Sequence, residues 1–145
     1  MDNKNETLII NLRKLYEQYG YKKISLPTFE EYDLYSEYRD FIKSEKILTL
    51  MTPEGKLEAL RPDITLSVAK KVAKDKNIKS EKIYYVENIY RFSKMNGYKE
   101  KRQLGIELIG TETEFLNYEI TNLALKSLQE INQNYILAFS HVGFI

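Results

Sequence analysis

Cysteine is absent from the 145-residue chain, which excludes disulfides, thiolate nucleophiles and Cys-ligated zinc together. The single histidine, His141, leaves no histidine pair for a metal, and the spacing suggests no Ser/His/Asp set, so His141 reads as structural. No apolar run approaches the roughly 18 residues of a membrane-spanning helix, and the opening MDNKNETLII lacks the uninterrupted apolar stretch of a signal peptide. These absences place the chain in the cytoplasm, away from any membrane. Charge of one sign is also missing: 22 Lys and Arg against 21 Asp and Glu leave a net charge of +1, without the basic footprint of a general nucleic-acid binder. Neither GxxxxGK[ST] nor GxGxxG occurs, which argues against P-loop and Rossmann nucleotide sites. Repeats and low-complexity tracts are absent too.

What is present suffices for one core. The chain is 43% hydrophobic and 12% aromatic, and its length leaves no room for two ordinary domains, so residues 1–145 read as a single domain. Leu8, Leu12, Leu15 and Tyr19 form a helical stripe with Ile9 and Tyr16, ending near Gly20. Ile24 and Leu26 alternate with Lys23 and Ser25 up to Pro27, the pattern of a short strand and a bend. Ile47 to Met51 and Leu57 to Leu60 flank the turn-like Thr52-Pro53-Glu54-Gly55, a hairpin signal. From Asp63 the period changes to a helix carrying Ile64, Val68 and Val72. Ile83 to Val86 and Ile89 to Phe92 read as β, Ser93 to Lys101 as a polar loop, and Gln103 to Ile109 as a strand ending at Gly110. Another amphipathic helix, through Leu116, Ile120, Leu123, Leu128 and Ile131, precedes a strand from Tyr135 to Phe139. The apolar ending Val142, Phe144, Ile145 suggests an incomplete polypeptide.

The chemistry-bearing residues gather on this framework. A period of two places Gln103, Gly105 and Glu107 on one strand face, with Leu104, Ile106 and Leu108 on the other. The missing side chain at Gly105 leaves space between an amide and a carboxylate, enough for a small polar ligand; the plainer reading is a solvated strand with a glycine bulge. Arg91 shares its face with Ile89 and Ser93 and suits a carboxylate or phosphate, or else forms a structural ion pair with Glu107 or Glu87. Pro62 holds Arg61 extended, and Asp63 and Thr65 fall in the first helical turn, where capping is their default role. Alternatively, Asp63 and Thr65 accept hydrogen bonds from an amino acid's ammonium while Arg91 meets its carboxylate or acyl phosphate, which with Gln103 and Glu107 makes a zwitterion-sized site. Lys94, Lys99, Lys101 and Arg102 form a basic stretch with two readings, a loop that approaches a phosphate or, more simply, a solvated loop.

GYKKISLPTFEE, ALRPDITLSVAKKVAK and KIYYVENIYRFSKMNGYKEKRQLGIELIG, in this order and spacing, resemble successive parts of the histidyl-tRNA synthetase class II core. The resemblance covers nearly the whole chain. It implies an α+β fold, a class II antiparallel sheet flanked by helices and incomplete at the C-terminus, with motif 1 around Pro27 building a dimer interface and motif 2 spanning Ile83 to Gly110. It implies too that Asp63, Thr65, Arg91, Gln103 and Glu107 line a histidine or adenylate pocket. Two features depart from the synthetase pattern: Asp63 stands where glutamate is usual, and Arg91-Phe92-Ser93 replaces Arg-x-Glu, followed by a lysine-rich segment. LRPD and the ending SHVGFI look more like the ATP phosphoribosyltransferase regulatory subunits, synthetase paralogues that do not aminoacylate. In this family the histidine-specific segment, the motif 3 arginine and the anticodon-binding domain would lie beyond Ile145. That branch implies no catalytic group and no metal or cofactor here, L-histidine as ligand, a short-form phosphoribosyltransferase catalytic subunit as partner, and self-association through the class II dimer surface. The alternatives are a divergent or truncated synthetase forming histidyl-adenylate, and a tyrosine-rich interaction module with a vestigial pocket.

Overall fold

Two hairpins organise the chain in a computed structural model that describes residues 3–38, 47–73, 80–110 and 113–140. The short hairpin pairs β3 (Leu48–Met51) with β4 (Leu57–Leu60), and β2 (Phe29–Glu31) flanks β4, giving an antiparallel sheet of order β2-β4-β3. Its turn closes because Gly55, at φ 79°, adopts a backbone that L side chains avoid, and donates its N–H to the Thr52 carbonyl at 2.9 Å. The long hairpin pairs β5 (Ser80–Ser93) with β6 (Gly97–Gly110) from end to end, with β1 (Lys22–Lys23) running parallel to β5 on the other side. Among the described residues the helices are α1 (Asn3–Gln18), α2 (Asp33–Ser36), α3 (Thr65–Ala73) and α4 (Glu114–Ile131).

Strand alternation divides the long hairpin into two working faces. Tyr84, Leu104 and Ile106 point to one face and pack against Leu12 and Tyr16 of α1, Tyr21, and Leu123 of α4. Ile83, Tyr85, Ile89 and Ile109 point to the other and pack against Leu26 and against Ile64 and Val68 near and within α3. Burying each aliphatic side chain contributes about 2 kcal/mol, so both helical layers are held mainly by apolar contact. Thr113 caps α4, accepting from the Leu116 N–H at 3.2 Å. Lys82 of β5 meets Glu119 of α4 at 2.7 Å and so pins the helix to the sheet.

Arg61 joins the two sheets. It is 1% exposed, and its guanidinium donates to the Leu26 and Pro27 carbonyls at 3.0 and 2.8 Å and to the Asn88 carbonyl. It also meets the Glu87 carboxylate at 3.1 Å. Its own carbonyl accepts from Tyr90 N–H at 2.9 Å. The end of β4, the bend at Pro27 and the middle of β5 are thereby fixed to one another, and Pro62 then launches the chain toward α3. A second buried polar group lies nearby: Glu30 accepts from Tyr35 Oη, and from Ser67 Oγ at 2.8 Å.

The sequence expectations need correction in three places. Ser93 to Lys101 is not a loop: β5 continues to Ser93, Lys94 to Asn96 make the turn, and β6 begins at Gly97. Polar composition misleads here because the ribbon projects into solvent and is held by cross-strand contacts. Asn88 and Tyr90 both donate to Glu100, at 2.6 and 3.0 Å, and the Phe92 and Tyr98 rings lie 5.1 Å apart. Tyr135 to Phe139 forms no strand; past α4 the backbone is irregular, with Ile136 92% exposed, since β propensity needs a pairing edge to become a strand. The strand expected before Pro27 is reduced to Lys22–Lys23, extended by one further bond from Ile24 N–H to the Tyr84 carbonyl at 3.0 Å. β2 and α2 had no distinct periodic signal, being three and four residues long. His141, Val142, Phe144 and Ile145 lie outside the described residues.

Candidate functional site

Register decides what the long hairpin presents. Ile83 pairs with Glu107, Tyr85 with Gly105, Glu87 with Gln103 and Arg91 with Lys99, so all of these share the face that meets α3. The start of α3 then brings Asp63 and Thr65 over that face. Asp63 Oδ1 accepts from Thr65 N–H at 2.9 Å, so the capping role is realised. The rest of the side chain does more: Oδ2 lies 3.4 Å from Arg91 Nη2, while Arg91 Nε donates to the Pro62 carbonyl at 2.7 Å. The expected ion pair of Arg91 with Glu107 or Glu87 does not form, because Asp63 holds Arg91 and Arg61 holds Glu87. The Arg91 side chain is 45% exposed against 17% for Asp63, so the guanidinium keeps an open flank.

Glu107 is partly buried beneath the start of α3. Thr65 Oγ1 donates to its Oε1 at 2.8 Å, and Tyr85 Oη approaches the same oxygen at 3.5 Å. Burial pushes the Glu107 carboxyl up from its ordinary range and the neighbouring Asp63 charge adds to this, while the two hydroxyl donors pull it back. Burial, with the Glu107 and Asp63 charges, drives the Tyr85 phenol upward, so it stays a neutral donor at ordinary pH. Two carboxylates face one guanidinium, and the surplus is negative, which suits an ammonium better than a phosphate.

Asp63, Thr65, Arg91 and Glu107 are thus brought together. Gln103 shares their face two residues from Gly105, and among the described residues no hydrogen bond ties it to the other four. The space anticipated above Gly105 is already filled: a Cβ there would lie 2.6 Å from Tyr85 Cζ and 3.0 Å from its Cε2. The tyrosine ring lies across the glycine, and the strand there is neither bulged nor open, pairing in regular register with β5. Sequence reading missed Tyr85 because its role depends on the cross-strand register, and missed Arg61 because an arginine before proline gives no sign of burial. Of the basic stretch, Lys99, Lys101 and Arg102 lie on β6, and Arg102 pairs with Glu6 of α1 at 3.0 Å.

An antiparallel sheet with a helix on one face and a polar cluster where a second helix begins is the class II aminoacyl-tRNA synthetase architecture. The profile described as Histidyl-tRNA synthetase matches residues 2–145, and the chain belongs to that family. The histidine–tRNA ligase of Methanococcus maripaludis strain S2 is 34% identical over 148 residues, covering 98% of this chain and 35% of the relative. An ATP phosphoribosyltransferase regulatory subunit from Ruminiclostridium cellulolyticum is 29% identical, covering 83% of this chain and 30% of the relative. Among solved structures, one described as an ATP phosphoribosyltransferase regulatory subunit/histidyl-tRNA synthetase from Bacillus halodurans superposes with TM-score 0.75 at 28% identity, over 88% of this chain and 34% of that one. Apo histidyl-tRNA synthetase of S. aureus gives TM-score 0.68 at 26% identity, over 88% and 35%. The chain therefore spans about a third of the length of these relatives. No described helix is long and apolar enough to cross a membrane.

Proposed function

We propose that this chain forms the histidine-sensing half-site of an ATP phosphoribosyltransferase regulatory subunit, binding the amino acid without transforming it. The observation that carries the reading is the Asp63–Arg91 pair at 3.4 Å. The arginine that an adenylate-forming site would direct at a phosphate is held instead by an acid of its own chain and by the Pro62 carbonyl. Ser93 supplies no carboxylate two residues after it, and the hairpin closes over Lys94 to Asn96. What remains is an acidic cradle for an ammonium, built from Asp63, Thr65 and Glu107, with Gln103 beside it and only the exposed flank of Arg91, beyond its pair with Asp63, open to a ligand carboxylate. Regulation then needs only unequal binding to two states of a complex with a short-form catalytic subunit. About 1.4 kcal/mol of difference gives a tenfold bias. The same reading places the protein in the cytoplasm as a hetero-oligomer that also self-associates through the surface around Pro27.

A second reading, a divergent histidyl-tRNA synthetase, is favoured by the 34% identity to the M. maripaludis ligase. Under it Arg91 would leave Asp63 for the adenylate phosphate, and Glu107 would hold the amino group. Histidine-dependent exchange of labelled pyrophosphate into ATP separates the two. The regulatory reading predicts exchange no greater than the histidine-free background, from this chain and from the product of its complete reading frame alike. Exchange that rises and saturates with histidine contradicts it.

A further inference from the structure

We propose that Tyr85 is the positioning residue of this site: lying across Gly105, its phenol holds Glu107 by one oxygen and leaves the other for the ligand's ammonium. The inference rests on the amino-acid reading given above. Both hydroxyl donors, Thr65 Oγ1 at 2.8 Å and Tyr85 Oη at 3.5 Å, approach Oε1 of Glu107. Among the described residues nothing donates to Oε2. A carboxylate tethered at one oxygen from two directions cannot rotate freely, and a fixed acceptor loses less freedom when a ligand arrives.

Gly105 is what makes this arrangement possible. Any Cβ at position 105 would stand within van der Waals overlap of the Tyr85 ring, so every other residue type would push the phenol off the strand. A backbone reason is lacking, because Gly105 is not among the glycines with positive φ, so the glycine is there for the ring. The ring is anchored from behind as well: Tyr85 is buried in the cluster of Leu26, Ile64, Val68 and Ile89, so the hydroxyl is placed by packing rather than by the ligand. Tyr85 thus couples the α3 core to the carboxylate, much as the side chains behind a metal ligand fix its orientation.

The test uses the product of this chain's complete reading frame, because the segment expected to read the imidazole lies beyond Ile145 and residues 1–145 alone are expected to bind histidine weakly. It is labelled for carbon-detected NMR of its glutamate carboxyls, with L-histidine as probe at up to millimolar concentration. Tyr85→Phe keeps the ring and removes only the hydroxyl, so the fold should survive. Loss of the donor is expected to move the Glu107 titration to higher pH and to weaken histidine binding about threefold near neutral pH, the scale of one neutral hydrogen bond. Gly105→Ala is expected to reproduce both changes by displacing the ring, and adding Tyr85→Phe to it should change neither further. An unaltered Glu107 titration in Tyr85→Phe overturns the proposal, as does unaltered histidine affinity in a variant whose Glu107 has moved. If wild-type chain binds no histidine while Glu107 still responds to Tyr85→Phe, the coupling stands and the amino-acid reading of the site is what falls.

Discussion

Replacing Arg61 with methionine is expected to lower the melting temperature by about 10 °C, since breaking a buried ion pair costs about 3–5 kcal/mol and a domain of this size loses roughly 2–4 °C per kcal/mol. Methionine fills much of the same volume, so the loss reports the polar contacts rather than a cavity. Four acceptors would be left without their donor: the Leu26, Pro27 and Asn88 carbonyls and the Glu87 carboxylate. Because those groups belong to the bend before β2 and to the middle of β5, the two sheets should lose their mutual placement, and α3 with it. Thermal melting followed by far-ultraviolet circular dichroism measures the effect. A fall of under about 2 °C, the range of ordinary surface substitutions, would show that Arg61 does not clamp the sheets.

Glu107→Gln is expected to separate stability from binding in opposite directions. Hydrogen bonds to a charged group contribute about 1.5–3 kcal/mol, so histidine affinity should fall at least tenfold when the carboxylate becomes an amide. Stability at neutral pH should instead rise. Glu107 titrates above its ordinary value of 4.5 in the folded chain, so the folded state holds that proton more tightly than the unfolded state does. Stability contributed by the group is then present in acid, declines as pH rises from about the ordinary glutamate range through the raised value, and is lost above it. The variant should lack that decline. A pH series of denaturant melts, wild type against Glu107→Gln, measures it, and a variant less stable than wild type at pH 7 would contradict the account. Sites that hold an uncompensated acid for a ligand commonly carry this cost.

How far the sequence foretold these features depends on the range of the interaction involved. Helices α1, α3 and α4 were legible because their apolar stripes repeat at helical spacing over many residues and face one layer. The β3–β4 turn was legible because Pro53 and Gly55 act locally. The face holding Gln103, Gly105 and Glu107 followed from a period of two, and Asp63 as a cap followed from its place beside Pro62. Arg91 was placed on the correct surface, but its partner was not foreseen, because choosing among Asp63, Glu87 and Glu107 requires knowing that Arg61 already occupies Glu87. Gly105 shows the same limit: on its own it signals a gap, and only the pairing of Tyr85 with Gly105 shows what fills it. The strand misread as a loop fails for a related reason, since Lys99, Lys101 and Arg102 are polar in composition but sit opposite partners on β5. Tyr135 to Phe139 fails in the other direction, with strand-forming residues and no edge beside them.

The central claim is that this site senses histidine on behalf of another enzyme. Its most direct test is phosphoribosyl-pyrophosphate consumption by a short-form ATP phosphoribosyltransferase catalytic subunit, with and without the product of this chain's complete reading frame, titrated with histidine. The account predicts activity that depends on the added protein, is suppressed by histidine, and loses that suppression in Glu107→Gln. Activity indifferent to the added protein, alongside histidine-dependent pyrophosphate exchange by that protein alone, would contradict it and assign the chain to the synthetases.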